Sequence, residues 1–195
     1  DTSKHWAKTY IEEAVKYGFV SGYTDGTFKP DNPITRAEFT KMLNSAIGNT
    51  AETDINFPDV KSGKWYYNDV QKGVAAGFIS GKSNGDFAPD AKITRQETAV
   101  MLSRIVPTSG SNATLKVYSD YKDVEYWAET ALEKITAKGY LGAYNDGKLH
   151  PKDNLTRGQA AKILTLVLQK ETIDKNNKRI VAHDGSDIVL KDTIY

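Results

Sequence analysis

Apolar positions recur with a helical period in three separate stretches of the chain, and each stretch stops at a glycine. Trp6, Tyr10, Ile11, Ala14 and Val15 fall at i, i+4, i+5, i+8 and i+9, and the same face is drawn by Trp65, Val70 and Val74 and by Trp127, Ala131, Leu132 and Ile135. That period predicts one apolar stripe of an amphipathic helix. Gly18, Gly77 and Gly139 stand where the stripes end, the place of a left-handed C-terminal cap. Asp25-Gly26, Asn84-Gly85 and Asp146-Gly147 follow and predict tight turns that fold the loop back on itself. A second helix opens at Thr35, Thr94 and Thr156, where Thr-x-x-Glu (Glu38, Glu97) or Thr-x-x-Gln (Gln159) reads as a capping box. Its body is apolar in each copy: Met42-Leu43, Met101-Leu102 and Ile163-Leu164.

The three stretches are copies of one unit. Trp6, Trp65 and Trp127 are followed after 12 residues by the capping glycine, after 24 by Pro30, Pro89 and Pro151, and after 30 by Arg36, Arg95 and Arg157. Trp-to-Trp spacing differs, 59 and then 62, so insertions fall between units, as in the Ser-, Gly- and Asn-containing stretch from Pro107 to Thr114. A helix, a turn-rich loop and a second helix in about 45 residues cannot bury a sufficient core alone, which requires the units to pack on one another. Residues 170–195 stand outside the pattern. There Arg179-Ile-Val-Ala-His and Asp187-Ile-Val-Leu flank His183-Asp184-Gly185-Ser186, which predicts a two-stranded hairpin, either capping the repeats or leading into a following domain.

Composition narrows the classes. The 195 residues hold no Cys, 26 Lys+Arg and 25 Asp+Glu. Disulfide scaffolds and thiolate metal sites are thereby excluded, and a formal charge of +1 lacks the basic field of non-specific nucleic-acid binding. The longest aliphatic run, Ile163 to Leu168, is far short of the ~20 residues of a spanning helix. Opening at Asp1 with no Met or charged-then-apolar leader, the chain reads as a mature or trimmed fragment.

Arg36, Arg95 and Arg157 are the most informative residues. Each occupies the first turn of a helix, where the macrodipole disfavours a cation by ~0.3–1 kcal/mol, so something else must repay the placement. A guanidinium beside free helix N-terminal amides is a receptor for a carboxylate or phosphate; the plainer alternatives are an acidic partner in the neighbouring unit or a solvated surface group. Trp6, Trp65 and Trp127 read first as core, with the alternative that each indole lines a groove where a sugar ring stacks. Tyr23, Lys82 and Tyr144 occupy equivalent, more exposed loop positions, and Gly22, Gly81 and Gly142 let the loop backbone approach a ligand or simply serve the turn. Catalysis finds little support. No acidic position recurs in all three units, the three His residues lack metal-ligand spacing, and no Ser sits in a nucleophile elbow.

This combination resembles the S-layer homology repeat of bacterial cell-surface proteins. The resemblance rests on His5-Trp6-Ala7, Gly22 to Phe28, Pro30 and Ile34-Thr35-Arg36-Ala37-Glu38 in the first copy. The second offers Phe57-Pro58-Asp59-Val60, Trp65, Gly81, Gly85-Asp86-Phe87, Pro89 and Ile93 to Glu97, and the third Tyr126-Trp127-Ala128, Tyr144 to Gly147, Pro151 and Leu155 to Gln159. It covers nearly all of residues 1–169, giving units at 1–48, 57–106 and 118–169, and does not reach the tail.

The resemblance implies a mainly α fold in which three helix-loop-helix repeats form a pseudo-threefold, three-pronged monomeric bundle. It implies a non-catalytic anchor without a cofactor, outside the cell at the wall or S-layer of a Gram-positive-type bacterium, holding the body of a surface protein in cis. The implied partner is a secondary cell wall polysaccharide, commonly with a pyruvate ketal on N-acetylmannosamine, bound in grooves between repeats; neither nucleic acid nor membrane is involved. Arg36, Arg95 and Arg157 are then assigned to the pyruvate carboxylate, with Trp6, Trp65, Trp127, Gly22, Gly81, Gly142, Tyr23, Lys82 and Tyr144 around the sugar. The copies depart from one another. The third box loses a negative charge at Gln159, the second loop carries Lys82 and Asn84 in place of Tyr and Asp, and the first copy lacks the lead-in seen at Phe57 to Val60, which leaves its groove incomplete. A glycan hydrolase would need a carboxylate pair ~5–9.5 Å apart, which no recurring pair supplies. A helical module whose Arg residues grip an acidic protein is the stronger rival, and a DNA-binding helix-turn-helix fits poorly with balanced charge.

Overall fold

The computed structural model describes residues 1–107, 114–174 and 179–182. Six α-helices carry the architecture: α1 Lys8–Lys16, α2 Arg36–Ile47, α3 Tyr67–Ala75, α4 Arg95–Ser103, α5 Glu129–Ala137 and α6 Arg157–Lys170. Two short strands follow, β1 Glu171–Asp174 and β2 Arg179–Ala182. Gly18, Gly77 and Gly139 sit past the first helix of each unit at φ 76°, 81° and 74°, the left-handed conformation that ends a helix cheaply only with glycine. All three capping boxes are formed, with Thr35, Thr94 and Thr156 accepting from the backbone N–H of Glu38, Glu97 and Gln159 while those side chains reach back.

The expected helix-loop-helix units do not close on themselves. Each second helix packs against the first helix of the next unit, α2 on α3 and α4 on α5, and α6 returns to α1, with α2 and α6 also touching. Three such pairs form the prongs of a mainly α, pseudo-threefold bundle. Its axis is a ring of three hydrogen bonds: Ile34 N–H donates to Leu155 O (3.0 Å), Leu155 N–H to Ile93 O (2.8 Å) and Ile93 N–H to Ile34 O (3.1 Å). These three side chains are fully buried, so the polar ring is dry and fully paired, and breaking one bond exposes two groups that water cannot reach. At the α1–α6 seam a Cβ on Gly158 would lie 3.1 Å from Pro30 O and 3.3 Å from Ala7 Cβ. That close approach explains glycine where the other copies carry Ala37 and Gln96.

The buried stripe of the first helices keeps the expected Ile11, Ala14, Val70, Ala131, Leu132 and Ile135 but departs at its edges, where the residue after each Trp goes inside in place of the Trp. Ala7, Ile11 and Ala14 are buried, with Tyr66 and Val70 and then Ala128, Leu132 and Ile135 in the other copies, whereas Val15 is half exposed. Trp6, Trp65 and Trp127 precede the helices and are 55%, 55% and 56% exposed, which corrects the reading of them as core.

After α6 the chain runs straight into β1, and Glu171 is buried there between Lys138 Nζ and the Tyr140 hydroxyl, both 2.6 Å from Oε1. β1 pairs antiparallel with β2, Glu171 opposite Ala182 and Asp174 opposite Arg179. The expected pairing of Arg179–His183 with Asp187–Leu190, and the linker between Pro107 and Thr114, fall outside the described residues. No helix among the described residues is long and apolar enough to cross a membrane.

Candidate functional site

Each repeat arginine reaches across to the loop of the following unit. Arg36 Nε donates to Phe87 O, Arg95 Nε to Leu149 O and Arg157 Nε to Phe28 O, each at 2.8 Å. In two copies Nη2 adds a second bond, Arg95 to Gly142 O (2.6 Å) and Arg157 to Ser21 O (2.9 Å). The residues are buried, 6%, 6% and 8% exposed. These bonds supply part of the repayment for a cation at a helix N-terminus.

The helix amides are not free, contrary to expectation. Arg36 N–H donates to Ala91 O and Ala37 N–H to Pro89 O, Arg95 and Gln96 bond to Asp153 O and Pro151 O, and Arg157 and Gly158 bond to Asn32 O and Pro30 O. The third amide of each helix goes to the capping Thr. All of this chemistry is spent on joining units, which leaves the side chains, not the helix ends, to meet a ligand.

Carbonyl oxygens orient a guanidinium without neutralising it. Of the three repeat arginines only Arg36 comes within ion-pair range of a carboxylate among the described residues, Nη1 to Glu97 Oε2 at 3.5 Å, and Lys82 Nζ lies 3.5 Å from Glu97 Oε1. All three guanidinium groups lie against a ring face, Arg36 on Phe87 at 5.0 Å, Arg95 on Tyr144 at 4.4 Å and Arg157 on Tyr23 at 4.6 Å. Burial pushes the Arg36 and Arg95 guanidinium groups down from their ordinary value, opposed at Arg36 by Glu97 and at Arg95 by Tyr144 and Asp153. Arginine nonetheless stays charged in proteins, so Arg95 and Arg157 are buried cations with no carboxylate in ion-pair range among the described residues, an arrangement that leaves room for an external anion.

A second threefold set was not recognised in the sequence. Asp1 accepts from the N–H groups of Phe28 (3.0 Å) and Lys29 (2.6 Å), Asp59 from Phe87 (2.9 Å) and Ala88 (2.6 Å), and Asp120 from Leu149 (3.0 Å) and His150 (2.7 Å). An acidic position therefore recurs in all three units, and Asp1 does for the first copy what Asp59 does for the second, so the missing lead-in does not cost the first unit this contact. The count from Trp concealed the set, because the separations are five, six and seven residues. Each carboxylate pins a turn in which a non-glycine residue, Lys29, Ala88 or His150, takes φ of 54°, 58° or 49°. The preceding carbonyl in that turn is the acceptor of the arginine Nε.

The clefts are built from three units each. One of about 570 Å³ is lined by Arg36, the Gly81–Ser83 loop, Glu97, Arg104 and Trp127; another of about 1020 Å³ by Arg95, the Gly142–Asp146 loop, Gln159, Lys162 and Trp6. On the third face Arg157 lies against the Tyr23 ring, and Lys41 Nζ stands 5.8 Å from the Trp65 ring as Lys162 stands 5.8 Å from Trp6. Tyr144 also accepts from Gln159 Nε2 at 2.7 Å, so the residue that breaks the acidic pattern ties down the loop.

Gly22 and Gly81 serve their own loops: a Cβ on Gly22 would sit 3.0 Å from Thr27 O, and one on Gly81 2.9 Å from Phe57 Cε1. Gly142 is not their counterpart. Nothing lies within 4 Å of a Cβ there, and it matches Ser21 and Ser80, with Ala143 in the close-approach position.

Comparison with known proteins agrees with this geometry. A family model described as the S-layer homology domain matches residues 1–40, 56–99 and 117–161. The chain is 33% identical over 170 residues to an endoglucanase of Bacillus sp. (strain KSM-635), covering 85% of the chain and 18% of that enzyme. It is 30% identical over 194 residues to the Surface-layer 125 kDa protein of Lysinibacillus sphaericus, 93% of the chain and 16% of that protein. It is 32% identical over 162 residues to the Cellulosome-anchoring protein of Acetivibrio thermocellus, 78% of the chain and 36% of that protein. The chain thus spans well under half the length of these relatives.

Proposed function

Because the chain belongs to the S-layer homology family, whose domains anchor surface proteins to the cell wall, we propose that it binds an anionic, pyruvylated N-acetylmannosamine-containing secondary cell wall polysaccharide in its inter-repeat clefts. The anchored cargo is the remainder of a surface protein, at the wall or S-layer of a Gram-positive-type bacterium. The observation that carries the reading is the pairing, in one cleft, of a buried guanidinium with no carboxylate in ion-pair range and a half-exposed indole, Arg95 with Trp6. The guanidinium edge suits a carboxylate and the indole face suits a sugar ring. Several clefts on one rigid body raise the overall affinity for a polymer that spans them.

Arg→Ala variants would confound binding with folding, since each arginine also joins two units. Trp6→Ala avoids this, the side chain being half exposed. In calorimetry a synthetic pyruvylated aminosugar is expected to bind the wild type, and Trp6→Ala to lose about tenfold or more in affinity at that cleft with its melting temperature unchanged. Equal binding of wall polymer before and after removal of pyruvate would defeat the reading and favour an acidic protein partner.

A further inference from the structure

We infer that the Arg36 cleft is a distinct subsite for a doubly charged oxyanion of the phosphate-monoester class, whereas the Arg95 cleft takes a single carboxylate. The inference rests on reading the clefts as anion-binding sites and concerns what separates them.

In the Arg36 cleft three cations, Arg36, Lys82 and Arg104, face one carboxylate, Glu97. Glu97 cannot leave cheaply, because its Oε2 also accepts the Thr94 N–H (3.2 Å) in the capping box of α4. It therefore neutralises one positive charge and leaves two. The Arg95 cleft has no such excess. There Asp146 and Asp153 are engaged with His150 at 2.7 and 3.3 Å and Lys162 stands by the Trp6 ring, which leaves Arg95 as the one guanidinium facing a ligand.

The cations are also placed differently. Lys41 and Lys162 lie near the indoles of their clefts, but the equivalent residue beside Trp127 is Val100. Lys82 stands where Tyr23 and Tyr144 cover the other guanidinium groups, and Arg104 stands where the other second helices carry Ser45 and Leu166. One carboxylate would leave a cation of this cleft unmatched, while a phosphate monoester, with about −1.5 to −2 charge at neutral pH, matches both. Val100, Met101 and Trp127 provide an apolar wall for a sugar bearing the group.

Trp127 lines the Arg36 cleft and Trp6 the Arg95 cleft, so their indole N–H signals in an ¹H–¹⁵N spectrum report the two clefts separately, with Trp65 as a third probe. In titrations with a hexose 6-phosphate, the Trp127 signal is expected to move at roughly tenfold lower concentration than those of Trp6 and Trp65. Lys82→Tyr with Arg104→Ser, which installs residues found at the same positions in other repeats, is expected to remove that preference. Inorganic phosphate binding as tightly as the hexose phosphate identifies a free anion as the source; tighter hexose phosphate identifies a sugar-borne group, and both support the subsite. Pyruvate moving Trp127 as readily as either phosphate, three signals moving together, or a preference surviving in the double variant overturns it. If a pyruvylated sugar moves no indole while phosphate still selects Trp127, the carboxylate reading fails and the subsite stands.

Discussion

Replacing Asp120 with Asn removes one carboxylate oxygen from a turn that depends on two. Asp120 accepts from Leu149 N–H at 3.0 Å and from His150 N–H at 2.7 Å, and the Leu149 carbonyl between those amides receives Arg95 Nε at 2.8 Å. An asparagine keeps one oxygen and turns an NH₂ toward the other amide. The lost charge-assisted bond is worth about 1.5–3 kcal/mol. The His150 backbone at φ 49° carries about 1–2 kcal/mol of strain that the carboxylate holds in place, part of which is released in the variant. A net loss of about 1–2 kcal/mol follows, and at about 2–4 °C per kcal/mol for a chain of this size the midpoint should fall by about 2–8 °C.

Thermal unfolding followed by far-ultraviolet circular dichroism measures this shift, and its pH dependence checks the cause. Burial pushes the Asp120 carboxyl up, but the Leu149 and His150 amides outweigh it and hold it below its ordinary value. The unfolded chain then takes up the proton first. The Asp120 contribution is complete above the ordinary carboxylate pKa of about 3.9 and is lost as pH falls through the lower folded value, so the gap between wild type and variant should narrow below about pH 4. A loss under about 1 kcal/mol at neutral pH, or a gap that stays constant into acid, refutes the role assigned to this carboxylate.

Two further substitutions probe the closure of the ring and its edge. Gly158→Val should cost about 1–3 kcal/mol and speed amide exchange in α1, because the new side chain enters the space between Pro30 O and Ala7 Cβ; wild-type stability would show that the seam yields freely. Tyr140→Phe should cost about 1–2 kcal/mol by leaving the buried Glu171 short of a donor, as read by denaturant unfolding. Burial, with Glu171 beside it, pushes the Tyr140 phenol far above its ordinary value, so its contribution is full below about pH 10 and fades only at higher pH, and one tyrosine should resist ionisation in a spectrophotometric alkaline titration of the folded protein.

Local features were legible in the sequence where they have local causes. The capping threonines, the C-terminal glycines and the tight turns all appear at the expected residues, because each satisfies backbone groups within a few positions. Pairing of helices between units was not legible, since the period of α2 identifies an apolar face but not which helix covers it. The tryptophans misled for a related reason. They stand one residue ahead of the true stripe, and only the turn before each helix decides that the neighbouring Ala7, Tyr66 and Ala128 go inside. Asp1, Asp59 and Asp120 act over 27 to 30 residues through backbone amides, a link without periodicity. Arg36, Arg95 and Arg157 were singled out correctly as anomalous cations, but only the coordinates distinguish a carbonyl partner from a carboxylate.

That distinction bears on how the same residues can build the ring and still receive a ligand. Had each arginine crossed to its neighbour by an ion pair, closing the ring would have cancelled the charge that an anionic polymer needs. Carbonyl acceptors set the guanidinium plane and its position while leaving its full charge directed at the cleft. The carbonyls themselves are placed by Asp1, Asp59 and Asp120, which bond to the amides of the turn and make no ion pair with the arginines. Negative charge thus stabilises the loop without sitting on the arginine. Arg36 alone departs from this separation by meeting Glu97, and there Lys82 and Arg104 restore the positive balance. A single repeat has the arginine but neither the carbonyl that orients it nor the indole that walls its cleft, since these come from the next two units. Under the proposed function recognition belongs to the closed three-unit ring, and any change that opens a seam should weaken the cleft beside it before the helices themselves unfold.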